Sequence, residues 1–474
     1  MSATSRTRAW WALTSTRSRL TALGATLIVA ALAATSVIVW NSPQNPVATV
    51  VKAVSQVSGK STAQDKIIRE RNALLSQVVA LQKQLDGRKA DLSTTKAQLA
   101  AIQQQLWTAQ GQLDASQKST ATPSTAKTAT KKPTTAVAIV SAPTKAEIVS
   151  PSSPYFGLFT EQAPFNFATY DATAAKIGSK PNAVGYFGGW DQNYNGSAVT
   201  AAWKRGALPI LTWESRPIDA GNGEVDASDY TLPQIIGDPA AGVPGRYDAY
   251  LHQYAKDIVA TGLPLGIRLD HEMNGIWYPW SETDGSGNSI NGNRVGDYVK
   301  MWQHVHDIFQ EEGANDLVAW IWAPNIVNNL PATHKTSAYL DGLYPGDQYV
   351  DIVGLSGYLR PPYKADNTFS FDYTFGTSLA QLRRITAKPI LLAEIGASET
   401  GGHKPAWISS VLTALTRPEN SDIIGFSWFN LAVTTYTEGE LATNDWRIES
   451  RPDSLAAFVA GLTMPGSRFR LIPD

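Results

Sequence analysis

The sequence contains no cysteine. Whatever compartment it occupies, the fold is held without disulfides, which a domain of some 300 residues can manage through core burial alone. Histidine is nearly as scarce, with 6 in 474 residues and no His-rich cluster, so no metal site is expected. The one stretch resembling a calcium loop, Asp284 to Ser289, lacks the terminal bidentate glutamate and the proper spacing, and reads as a flexible loop. An excess of one charge is missing too. Lys and Arg number 40 against 41 Asp and Glu, giving a net charge of −1 and no nucleic-acid signature. No internal repeat is visible beyond a heptad seam and a β/α alternation.

One uncharged run is both long and apolar enough to stand apart. Residues 20–40 carry no ionisable group and follow a basic segment, 1–19, that holds Arg6, Arg8, Arg17 and Arg19. A helix of this length crosses a hydrocarbon core of about 30 Å. With arginines before it and none directly after, it is expected to be a single-pass transmembrane signal anchor at the cell membrane, with the rest of the chain extracytoplasmic. The alternative is a signal peptide cleaved near Ala31-Leu32-Ala33, giving a secreted protein. A connector, 41–66, leads to a segment, 67–116, with apolar residues at alternating three- and four-residue spacing, among them Leu74, Val78, Leu81, Leu85, Leu92 and Leu99. That spacing predicts a coiled coil and, through it, a homo-oligomer, with Gly87, Arg88 and Thr95 weakening its middle. Residues 117–152 turn to Ser, Thr, Ala, Lys and Pro without periodicity, the composition of a disordered linker.

From residue 153 to 474 the pattern changes again. Eight apolar runs bounded by Gly, Pro and polar turns read as strands: Tyr155–Phe159, Ala183–Phe187, Leu208–Trp213, Leu263–Arg268, Leu317–Ala323, Asp351–Leu355, Pro389–Ala393 and Ile423–Trp428. Helical patterns such as Tyr247–Thr261, Asp297–Glu312 and Leu379–Thr386 separate them. Eight β/α units predict an α/β fold, a (β/α)8 TIM barrel, whose chemistry belongs at the C-terminal strand ends.

Two of those ends carry carboxylates. The fourth strand runs into Arg268-Leu269-Asp270-His271-Glu272-Met273-Asn274-Gly275, followed by Trp277-Tyr278-Pro279-Trp280. Continued alternation would set Arg268, Asp270 and Glu272 on one side, as a site or as an internal salt-bridge network. The seventh strand ends in Ala393-Glu394-Ile395-Gly396. Glycosidic cleavage needs one carboxylic acid to protonate the leaving oxygen and a second carboxylate to attack the anomeric carbon or activate water, which makes Glu272 and Glu394 the catalytic candidates. Trp190, Trp213, Trp277, Trp280, Trp322 and Trp428 fall at or beyond predicted strand ends, where flat rings stack on sugars or else are buried in the core.

These segments, with Trp322-Ala323-Pro324-Asn325 and Asp351-Ile352-Val353-Gly354-Leu355-Ser356-Gly357-Tyr358, resemble glycoside hydrolase family 26 across the barrel, and nothing in the first 150 or so residues shares that resemblance. The resemblance implies a retaining enzyme with Glu272 as acid/base and Glu394 as nucleophile, a mechanism that needs no cofactor. It also implies Tyr358 as the tyrosine that hydrogen-bonds the nucleophile, Trp428 as an aromatic platform, and Asn325 in the substrate-binding set. His271 then binds substrate or nucleophile, or is a satisfied structural histidine. Family members cut β-1,4-mannans, mixed-linkage β-1,3-1,4-glucans or β-1,3-xylans. At the third strand end, Trp213-Glu214 departs from the Trp-His pair of mannanases and looks more like the glucanase branch, with Glu214 either a sugar-hydroxyl acceptor or the partner of Arg216. The expected partner is therefore a polysaccharide. A transglycosylase on the same glycans and a catalytically silent glycan-binding scaffold are the rival readings.

Overall fold

The computed structural model describes residues 140–469 apart from 222, 438 and 439, together with Lys83. The span expected at 20–40 lies outside the described residues, as does, Lys83 apart, the coiled coil at 67–116. Among the described residues no helix is long and apolar enough to cross a membrane.

The described residues begin before the barrel boundary expected at 153. Helix α1 (Lys145–Val149) is opened by a capping box in which Thr144 and Glu147 satisfy each other's backbone and side chain. Its Ile148 is fully buried and Tyr155 donates a hydrogen bond to the Ile148 carbonyl at 3.1 Å. Lys145 ties the helix to the barrel through the Asp351 carboxylate at 2.8 Å and the Asn315 carbonyl at 3.0 Å. Both partners precede strands, so α1 packs at the N-terminal ends, opposite the mouth. The segment expected as linker, 117–152, therefore includes a formed helix at Lys145–Val149, held against the barrel by one buried isoleucine and two cap bonds; residues 117–139 lie outside the described residues.

Strands β1 (Tyr155–Phe159), β2 (Ala183–Gly189), β3 (Leu208–Glu214), β4 (Leu265–Leu269), β5 (Val318–Trp322), β6 (Ile352–Leu359), β7 (Ile390–Ala397) and β8 (Ile423–Phe429) close in sequence order into a parallel barrel, β8 pairing back to β1. Each stands at an expected run. Their residues are buried almost throughout, as strands covered on both faces must be. The connecting helices are α2 (Ala168–Ile177), α3 (Gly196–Trp203), α4 (Leu232–Ile236), α5 (Asp248–Thr261), α6 (Asp297–Glu311), α7 (Ser337–Asp341), α8 (Phe371–Ile385) and α9 (Lys404–Ala414). After β8 the chain adds an antiparallel pair, β9 (Ala432–Thr437) and β10 (Glu440–Asp445), then α10 (Pro452–Thr463). The pair has no counterpart in the eight expected units.

Inside the barrel, Gly185 makes room for Phe159: a Cβ at 185 would lie 2.3 Å from that ring. Phe159 in turn meets Phe187 and Phe429 at centroid distances of 5.4 and 5.9 Å, an aromatic layer closing the barrel interior just below the mouth.

Candidate active site

Strand β4 ends at Leu269, and beyond it Asp270 (φ 40°) and Glu272 (φ 56°) both adopt the left-handed conformation. Non-glycine residues enter this region at a cost, typically at functional sites where the surroundings hold them there. Here the Asp270 amide donates to the Trp213 carbonyl at 2.9 Å and the Glu272 amide to the Ala323 carbonyl at 2.7 Å, pinning the turn to the ends of β3 and β5. The turn breaks the period-two alternation. Arg268, Asp270 and Glu272 consequently do not form one network, contrary to the simple strand reading.

Arg268 points into the barrel and is fully buried. It donates to Glu394 Oε2 (2.5 Å), Thr212 (3.0 Å) and Ser356 (2.7 Å). Tyr358 donates to the other oxygen, Glu394 Oε1, at 2.5 Å. Both oxygens of Glu394 are thus held from β4 and β6, which fixes the carboxylate plane. Asp270 is spent on architecture: its carboxylate accepts from the Ser215 amide and hydroxyl, both at 2.7 Å. Burial raises the Asp270 pKa to about 7 against those two bonds.

Glu272 is buried at the mouth and accepts from Trp277 Nε1 at 2.9 Å. Its pKa is raised, first by burial and then by the negative charge of Glu394, with Arg268, Asn325 and Trp277 pulling it back down. Asn325 is clamped for this contact, since the Asn274 side chain bonds both its amide and its carbonyl at 2.8 Å. His271 is buried, with Nε2 3.2 Å from the Tyr278 hydroxyl and Nδ1 3.8 Å from Glu214. Burial, then the charges of Arg268 and Arg216, push its pKa well down, so it is neutral. Glu214 is bound by Arg216 at 2.9 Å, and the guanidinium lies 4.7 Å over Tyr278, which stacks on Trp280. Among the described residues no group of three or more His, Asp or Glu is spaced for a metal.

The tryptophans divide. Trp277 is half-buried at the mouth. Trp213 instead stacks on Tyr254 of α5 at 4.4 Å, with Trp190 against it at 5.3 Å. Trp322 bonds the Leu343 carbonyl at 3.1 Å and packs on Tyr344. Trp428 faces Trp407 and Phe458 in the helical layer, so it is not the floor of the site. The reason is parity: at these strand positions the side chain points outward, and its neighbour, Phe429 after Trp428, points to the mouth. Trp428 still acts indirectly, donating at 2.7 Å to the carbonyl of Trp446, whose ring lies 4.8 Å from Tyr358. Phe187, Phe429 and Trp446 are the aromatic residues that sequence reasoning missed. Strand parity counted from Glu394 and Arg268 would have found the two phenylalanines, whereas nothing local marks Trp446.

Residues 189–399 match the model of glycosyl hydrolase family 26. Endoglucanase H of Acetivibrio thermocellus is 30% identical over 285 residues, 59% of this chain and 27% of that protein. A mannan endo-1,4-beta-mannosidase of Bacillus subtilis is 25% identical over 50% of this chain and 64% of its own length. The chain therefore spans about a quarter of the first relative's length and under two thirds of the second's. The catalytic domain of a Bacillus sp. JAMB-750 GH26 endo-beta-1,4-mannanase is 18% identical, with a TM-score of 0.49 over 69% of this chain and 88% of that one. The family match lies over β3 to β7 and includes both carboxylates, Glu272 and Glu394, so it falls on the mouth of the barrel.

Proposed function

We propose that this protein is an endo-acting hydrolase of β-glycans that works with retention, and that mixed-linkage β-1,3-1,4-glucan rather than β-1,4-mannan is its substrate. The observation that carries the reading is the unequal pair of carboxyl groups. Glu394 is held at both oxygens by a guanidinium and a phenol that aim it at a fixed point, and Glu272 beside it has its proton affinity raised by burial and by the charge of Glu394.

In the first step the Glu394 carboxylate attacks the anomeric carbon, the glycosidic C–O bond breaks, and Glu272 delivers its proton to the leaving oxygen. The product is a glycosyl ester on Glu394. Its formation removes the negative charge that raised the Glu272 pKa, so the now ionised Glu272 accepts a proton from water. The resulting attack on the same carbon frees Glu394 and restores the original anomer. Trp277 and Asn325 favour the ionised form of Glu272, which balances its two roles.

For the sugar, Glu214 supports glucan, since Trp213-Glu214 stands where the mannanase pattern carries a Trp-His pair. For location, the uncharged run at 20–40 supports membrane anchoring with the barrel outside. The chain enters the barrel through α1 on the face opposite the mouth, so a tether there leaves the site open to a surface polysaccharide. The experiment is product analysis of the chain on mixed-linkage β-glucan, galactomannan and β-1,3-xylan, with Glu394→Ala as control. Glucan cleavage lost in the variant is expected. Cleavage of mannan alone would overturn the substrate, products that change with added acceptor sugar would make the protein a transglycosylase, and binding without cleavage would make it a scaffold.

A further inference from the structure

Beside Glu394, the loops after β5 and β6 form a shallow cleft open to solvent. Tyr358, which holds Glu394, forms one wall. Arg360 and Lys364 line it together with Asn328, Asn367 and Tyr373. Arg360 is exposed and makes no hydrogen bond or ion pair among the described residues. Lys364 donates to the Asn328 carbonyl at 2.5 Å. Lys335 stands next to it, and its pKa is lowered first by partial burial and then by the charge of Lys364. Two ammonium groups brought together in this way repel, and the fold gains nothing from it. The acid facing them is Asp366, whose carboxylate accepts from Tyr373 at 3.0 Å. Three cations against one carboxylate leave the rim of the cleft positive in a chain whose overall charge is near zero. The catalytic carboxylates lie behind Tyr358, and the next acid along the loop, Asp372, is paired with Arg417 at 2.9 Å.

We propose that this cleft receives an anionic substituent of the glycan, a carboxylate or a phosphate ester, so that the preferred substrate is an acidic β-glycan. The inference rests on the hydrolase reading for the presence of a glycan at Tyr358 and refines its substrate class. Arg360 supplies a planar fork suited to either anion, and Lys364 a point charge beside it. The asparagine side chains offer further donors, and the cleft is too polar to stack a sugar face.

The test compares the chain with Arg360→Gln/Lys364→Gln on the neutral polymer it cuts, on that polymer partly oxidised at C6 to carboxylate, and on its phosphorylated form. The wild-type protein is expected to show kcat/KM about five- to tenfold higher on an acidic polymer, an advantage that shrinks with added salt. In the double variant the acidic-to-neutral ratio falls to about one. Preference for the oxidised polymer names a carboxylate, and preference for the phosphorylated one a phosphate. Equal or better cleavage of the neutral polymer by the wild-type protein, or an unchanged ratio in the variant, overturns the proposal. If no polymer is cut, the hydrolase reading fails separately, and calorimetric titration with acidic and neutral oligosaccharides decides the cleft. Tighter acidic binding lost in the variant supports it, and equal binding of both sugars overturns it.

Discussion

Removing the guanidinium that holds Glu394 should cost stability in a way that removing both charges does not. Arg268 is fully buried and reaches Thr212, Ser356 and Glu394. Arg268→Met keeps the volume of the stem but strips Glu394 of its counter-charge next to Glu272, and leaves two hydroxyls without a partner. Losing one member of a buried pair costs about 3–5 kcal/mol. Glu394→Gln leaves the guanidinium with an amide oxygen in place of an anion and should cost less, about 1–3 kcal/mol, the desolvation penalty of a weakened partner. In Arg268→Met/Glu394→Gln no unpaired charge from this pair remains. The double variant should therefore be more stable than the sum of the two single losses predicts, by roughly 2 kcal/mol. Guanidinium unfolding of the four proteins at neutral pH measures the cycle. Additivity within about 0.5 kcal/mol would refute the reasoning, because it would mean that Arg268 and Glu394 do not sense each other's charge.

Three further outcomes are expected. Trp277→Phe removes the donor to Glu272 Oε2, a bond that favours the ionised acid. The Glu272 pKa should rise, and the alkaline limb of kcat/KM against pH, which falls as the general acid loses its proton, should move to higher pH. Asp270, with a folded pKa raised to about 7 by burial, keeps its proton where the unfolded chain has lost it, so its contribution to stability declines as pH rises from the unfolded carboxylate range to about 7. Asp270→Asn preserves the shape and the Ser215 contacts, and should flatten that decline when stability is followed by denaturant titration between pH 4 and 8. A chain starting at Pro151 loses buried Ile148 and its carbonyl bond to Tyr155. It should melt several degrees below one starting at Val140, in keeping with about 2–3 kcal/mol for a buried isoleucine.

The barrel was legible because parallel strands buried on both faces are apolar throughout and bounded by turn residues. Every expected run therefore landed on a strand, with ends shifted by a few residues. That Glu272, Glu394, Tyr358 and Trp277 gather at the mouth was legible because motif and strand end coincided. Two kinds of information were not. Alternation does not survive a turn with two left-handed residues, so Arg268, Asp270 and Glu272 separated to three different partners. Nor does a tryptophan at a strand end reveal its face, so Trp190, Trp213, Trp322 and Trp428 went to the helical layer. Trp446 reaches Tyr358 only because the chain folds back after β10, a long-range event with no local signature.

The most direct test of the double-displacement account is rescue of the two carboxylate variants by azide during glycan cleavage. If Glu394 is the nucleophile, Glu394→Ala with azide yields a glycosyl azide of inverted anomeric configuration, and Glu272→Ala with azide yields the retained one. The same anomer from both variants, or no azide product from either while the wild-type protein is active, would contradict the assignment.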